Sequence, residues 1–167
     1  SEIISKIQGN GWGDAKYWKV ATDNDIILVN SAGNYGFAHA GDPGIWAVET
    51  DSNGNLILGG KMVIVGNWDG SNVSGNKAGH VCLDINTANN TCNDTHRLSD
   101  FYILAPGTDI TSAISGDRYT SGSGTSYAAP HVTGACGVLN QMWPYMAGDK
   151  LVLSLIHISE PTRLASI

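Results

Sequence analysis

The chain is poor in cysteine, in charge and in long apolar runs, and each shortage narrows what it can be. Nine basic and 15 acidic side chains in 167 residues leave a formal net charge of −6. There is no Lys/Arg cluster of the kind that seeks a phosphate backbone or an anionic bilayer, so neither nucleic acid nor a membrane surface is an expected partner. No apolar stretch approaches the roughly 20 residues of a spanning helix, and no basic, apolar, small-residue signal stands at the start. The 3 cysteines include no C-x-x-C pair, and His80 and His96 lack regular ligand spacing, so no metal site is expected. There is no internal repeat.

What is present suits one globular domain or part of one, with 42% hydrophobic residues and 21 glycines. The chain opens "SEIISKIQGNGWGDAKYWKV", apolar helical material behind Ser1, and is expected to be an internal fragment. "DSNGN", "GNWDGSNVSGN" and "NTANNTCND" are turn-dense loops. Cys82 and Cys92 flank "LDINTANNT": a disulfide there would staple the loop and imply an oxidising compartment, and two unpaired thiols are the alternative. Cys136 reads as a small core residue.

"IILV" at 26–29 is an unalternating apolar run, the pattern of a parallel strand buried on both faces. "KMVIVGNWDG" and "FYILAPG" have the same form, each apolar run ending in a turn-rich segment. Hairpins are expected at Asn53-Gly54 and at Gly116-Asp117. Val132, Ala135, Cys136, Leu139, Met142 and Trp143 recur at helical spacing, Gly134 and Gly137 are expected to admit a neighbouring backbone, and Pro144 ends the helix. Strands alternating with helices predict an α/β fold with a mostly parallel sheet and flanking helices.

The last fifteen residues, "LSLIHISEPTRLASI", resemble a translated sequencing-adaptor tail that interrupts a helix resuming at "AGDKLV". The expected division is therefore a partial domain over 1–152 and a non-native 153–167. The alternative is an ordinary apolar helix, "LVLSLIHI", broken by Pro161.

"SGSGTSYAAPHVTG" at 121–134 is the most specific stretch. A serine at the start of a buried helix has free backbone N–H groups and the positive end of the helix dipole beside it, and both favour a developing oxyanion. An N-cap role would explain a serine, but not "GTS" followed by "AAPHV". His131 lies about 500° of helical rotation beyond Ser126, so the two point in different directions. These residues resemble the active-site serine motif of the subtilisin-like serine peptidases, which implies a nucleophilic Ser126 and a structural His131. "VNSAGNYG" is similar to the family's oxyanion-hole segment. That similarity implies that the Asn34 side chain donates to the tetrahedral intermediate, and that Ser31, Ala32 and Gly33, with Gly124 and Thr125, line the substrate site. Alone, Asn34 could simply hold a left-handed turn position beside Gly33.

The resemblance runs over about residues 17–152, through "MVIVGNWD" and "FYILAPG". "GTSYAAPHVTGACGVLNQMWP" is most similar to bacterial autotransporter subtilases. It implies a subtilisin-like domain whose N-terminal part is missing, and an extracellular or cell-surface serine endopeptidase acting on polypeptides, whose parent would carry an outer-membrane β-barrel. It also implies no required cofactor. Structural calcium is frequent in the family, so a bound calcium ion is carried over with no assigned site: Asp84, Asn86 and Asp94 lack the Gly and Glu of a helix-loop-helix site.

The departure is the base. In this family the order is Asp, His, Ser, yet His39, His80 and His96 stand in no "HGTH" context and no Asp-Thr-Gly or Asp-Ser-Gly is present. His39 follows the oxyanion segment and reads as a loop residue. The catalytic Asp and His are expected upstream of Ser1, which leaves the fragment inactive. A degenerate subtilase acting as a non-catalytic binding module is the alternative. An α/β-hydrolase esterase fails because Ala128 occupies the last position of G-x-S-x-G.

Overall fold

Strand β2, Met62–Trp68, runs through the middle of the sheet, and its first six residues are all buried. A strand apolar on both faces needs cover on both faces. The computed structural model, which describes residues 15–41, 43–77 and 97–159, supplies it. Strand β1, Leu28–Ser31, pairs parallel with β2 in the register Leu28 to Met62. Strand β4, Tyr102–Pro106, pairs parallel with the opposite edge, Ile64 to Tyr102. The two-residue strand β3, Val73–Ser74, returns antiparallel along the end of β2.

Successive β2 side chains alternate between two cores. Met62 and Ile64 join Trp46, Leu58 and Tyr102, with Trp18 of helix α1 (Ala15–Asp23) packed against them. Val63 and Val65 join Ile103, Ala128, Val132, Cys136 and Leu155. The second core is roofed by α2, Thr125–Met142, and α3, Gly148–Ser159. Burial raises the Cys136 thiol pKa, which suits a core residue and not a nucleophile. Cys82 and Cys92, together with Asp84, Asn86 and Asp94, lie outside the described residues.

The α/β fold with a mostly parallel sheet is as expected, with four local differences. "IILV" is not buried on both faces: the strand begins at Leu28, Ile26 is 53% exposed, and all four β1 residues are half-buried. The reason is positional, since one edge of β1 has no partner among the described strands. The Asn53-Gly54 hairpin contracts to a single bridge, Thr50 to Leu56, where Asp51 accepts the N–H groups of Asn53 and Asn55 at 2.9 Å each. The Gly116-Asp117 hairpin forms in full, as β5, Ile110–Ile114, and β6, Arg118–Gly122, with both turn residues at positive φ.

Gly134 and Gly137 admit no neighbour among the described residues: a Cβ on either would meet none of them within 4 Å. Helix α2 turns them to solvent, while Val132 and Cys136 face the sheet. Finally, the helical pattern does not break at 153. Helix α3 continues to Ser159, with Leu155 buried on the same stripe as Leu151 and Val152. No described helix is long and apolar enough to cross a membrane.

Candidate active site

The site forms where the loop after β1 meets the first turn of α2. Gly107, directly after β4, sets that meeting. A Cβ on it would lie 2.6 Å from the Gly124 carbonyl oxygen, 2.7 Å from Asn67 Oδ1 and 3.0 Å from the Ala128 methyl. The Gly107 carbonyl accepts the Gly124 N–H at 2.7 Å. Only glycine lets strand and helix end approach so closely.

Helix α2 is capped by Gly124, with no side-chain cap bond, so Ser126 is the second helical residue and not the N-cap. The N–H groups of the first turn can be followed individually. Thr125 N–H donates to Asn34 Oδ1 at 2.9 Å. Those of Tyr127 and Ala128 both reach the Gly124 carbonyl, at 3.0 and 3.3 Å. Ser126 N–H has no partner among the described residues, and the Ser126 side of the turn is exposed. Pro130 lies inside the helix and has no N–H to return to the Ser126 carbonyl one turn back.

Thr125 is 0% exposed. Its hydroxyl donates to Asn34 Oδ1 at 3.1 Å and accepts Gly33 N–H at 3.1 Å. Two donors therefore converge on one end of the Asn34 amide, which makes that end the carbonyl and leaves Nδ2 as the amide's donor end. Asn34 is exposed. The positive φ falls on Gly33, at 102°, and Asn34 is not among the non-glycine residues that share such a conformation. Asn34 is thus not a left-handed turn residue. The site offers two N–H donors, the Asn34 amide and the Ser126 backbone, beside one hydroxyl at a helix N-terminus. That is a set able to hold an oxyanion formed when the hydroxyl adds to a carbonyl.

The expected substrate wall is only partly available. Ser31, Gly33 and Gly124 are half-buried, but Ala32 and Thr125 are 0% exposed. Ala32 packs in the core, and Thr125 supports Asn34. A Cβ on Gly122 would strike the Tyr127 ring, and one on Gly124 would lie 3.1 Å from Asn34 Nδ2.

His131 sits one turn beyond Tyr127, its Nδ1 3.1 Å from that carbonyl. His39 Nδ1 lies 2.8 Å from the carbonyl of its neighbour Ala40. His80 and His96 lie outside the described residues. Among the described residues no three of His, Cys, Asp and Glu are grouped to hold a metal ion.

One residue of the site escaped the sequence reading. Asn76, 0% exposed, accepts the N–H groups of Tyr35 and Phe37 on its Oδ1 at 3.0 and 3.1 Å. Its own N–H donates to the Gly33 carbonyl at 2.8 Å. The buried Tyr102 hydroxyl, its pKa raised to about 12 by desolvation, donates to the Asn76 carbonyl at 2.8 Å. "SGNK" reads as one more polar loop, and only the fold brings it beneath "AGNYGF".

Known proteins resemble this chain in sequence and fold. The profile of the Subtilase family (peptidase S8) matches residues 4–162. An extracellular serine protease of Serratia marcescens is 33% identical over 89 residues, a stretch that covers 40% of this chain and 8% of that protein. Among solved structures, sphericase superposes with a TM-score of 0.59 at 19% identity, covering 83% of this chain and 41% of that one. The protease domain of PatA, as its S218A mutant, gives 0.56 at 24%, covering 85% and 42%. The matched region thus spans well under half the length of these proteins, and the structural likeness supports the fold. With the profile covering almost the whole chain and the α/β topology agreeing, the chain belongs to the subtilase family.

Proposed function

We propose that this chain carries the nucleophile and oxyanion half of a serine endopeptidase. Ser126 Oγ attacks the scissile carbonyl of a polypeptide, and the oxygen that becomes negative is received by Asn34 Nδ2 and Ser126 N–H. Collapse expels the amine and leaves an acyl-enzyme on Ser126, which water then hydrolyses. The observation that supports this reading is the pair of Thr125 donors on Asn34 Oδ1, which turns the opposite end of the amide into a fixed donor beside the serine. The chemistry requires no cofactor.

A base must take the Ser126 proton, and neither His39 nor His131 is committed to it. We infer that the base and its orienting carboxylate come from parts of the parent protein outside these 167 residues, and that the isolated chain does not hydrolyse peptides. Location at the cell exterior fits the likeness to the Serratia marcescens protease named extracellular, and an autotransporter parent is a further part of the proposal.

The test is fluorophosphonate labelling of the full-length parent and of this chain. An adduct on Ser126 in the parent, absent in Ser126→Ala and absent in the isolated chain, is expected. An intact parent that takes no label would instead mark a binding module.

A further inference from the structure

Asn76 holds the backbone on both sides of Asn34 with no hydrogen bond to the Asn34 side chain among the described residues. Its bonds fall on Gly33, Tyr35 and Phe37. Its Nδ2 fills the place of a Gly33 side chain, 2.7 Å from where that Cβ would stand. The preceding Gly75, at φ +87°, passes so close that a Cβ there would lie 2.7 Å from the Gly33 carbonyl oxygen and 3.1 Å from Thr125 Cγ2. Tyr102 ties the Asn76 carbonyl to β4. The loop is thus clamped from the sheet by Asn76 and from the helix by Thr125.

Nδ2 of Asn76 is the buried side-chain polar atom without a partner among the described residues. A dry, unpaired donor is a cost that an apolar residue would avoid. What an apolar residue cannot supply is an acceptor for two backbone N–H groups at full burial. The residue is therefore useful here for its carbonyl end.

We propose that Asn76 is a positioning residue of the oxyanion site: by accepting from Tyr35 and Phe37 it fixes the backbone from which Asn34 projects. The proposal rests on the reading of Asn34 as an oxyanion donor. Asn76→Leu keeps the side chain's shape and removes the acceptor. Asn76→Asp keeps the acceptor, and because Nδ2 donates to nothing described, an oxygen in its place breaks no described bond.

In the parent peptidase, with active sites counted by fluorophosphonate, Asn76→Leu is expected to lower kcat on the order of tenfold. That is a part of the about 10²–10³ that loss of the donor itself costs, a range measured within this same family. KM should change little, and Asn76→Asp should restore kcat. Asn34→Leu provides the reference loss. Should Asn76→Leu fail to fold, Asn76→Ser, too short to reach both N–H groups, takes its place with the same expectation. Wild-type kcat per active site in the acceptor-deleted variant, beside a slow Asn34→Leu, overturns the proposal. Equal loss in Asn76→Leu and Asn76→Asp also overturns it.

A parent that hydrolyses no peptide overturns the reading of Asn34 instead. Positioning is then decided on this chain by NMR. A broadened Asn34 side-chain amide and faster exchange of the Tyr35 and Phe37 N–H groups in the acceptor-deleted variant support it, and unchanged signals overturn it.

Discussion

Asn34 and Thr125 stand 91 positions apart in the chain and share two hydrogen bonds, both ending on Asn34 Oδ1. The threonine hydroxyl also receives Gly33 N–H, so one buried group orients the amide and closes the loop behind it. Thr125→Val removes the hydroxyl and keeps the shape. It leaves Gly33 N–H and part of Asn34 Oδ1 unpaired, at an expected cost of about 1–3 kcal/mol. Urea unfolding of this chain should show the loss, and Thr125→Ser should recover most of it. In the parent, Thr125→Val should also slow turnover, because the amide is left with one anchor.

Gly134 tests the orientation of α2. It lies inside the helix with nothing within 4 Å of a prospective Cβ, so Gly134→Ala should raise stability by about 0.5–1 kcal/mol through backbone entropy alone. A higher urea midpoint is the expected result. A lower one would mean that another surface packs there.

Asp25 ties the end of α1 to the start of α3. Its Oδ1 accepts Gly148 N–H at 3.0 Å and pairs with Lys61 Nζ at 3.0 Å. The Gly148 bond first, then the Lys61 bond, lower its pKa below the ordinary carboxylate value. A lowered folded pKa means that the stabilisation is complete above the unfolded pKa of about 3.9 and fades as pH falls through the folded one. Asp25→Asn keeps a residue tolerant of the positive φ, 62°. It should lower the urea midpoint at pH about 7, and the difference from wild type should shrink toward pH about 2.

The legible parts of this chain are those in which local chemistry repeats a short-range rule. The β2 run opens with four consecutive apolar residues, Met62 to Val65, so it could be read as a doubly covered strand, and the structure buries all four. "IILV" has the same composition, but burial depends on what lies beyond the strand, and β1 has a free edge among the described strands. Gly134 and Gly137 look like packing glycines because the sequence around them is small, whereas the helix phase sends them to solvent. The tail after Leu153 reads as foreign by resemblance, yet Leu155 and Ile156 continue the apolar stripe of α3.

By itself the sequence determined the family, through "GTSYAAPHV" and "VNSAGNYG", and with it the sheet, and it nominated Ser126 and Asn34 for the site. These are contiguous motifs, in which neighbours along the chain supply the context. Only the tertiary structure decided which end of the Asn34 amide is the donor, that Thr125 and Ala32 are buried, and that Asn76 lies beneath the loop. Hydrogen bonds across 41 and 91 positions leave no periodicity in the chain. They exist only because Gly107 and Gly75 let a strand, a loop and a helix end close on one another.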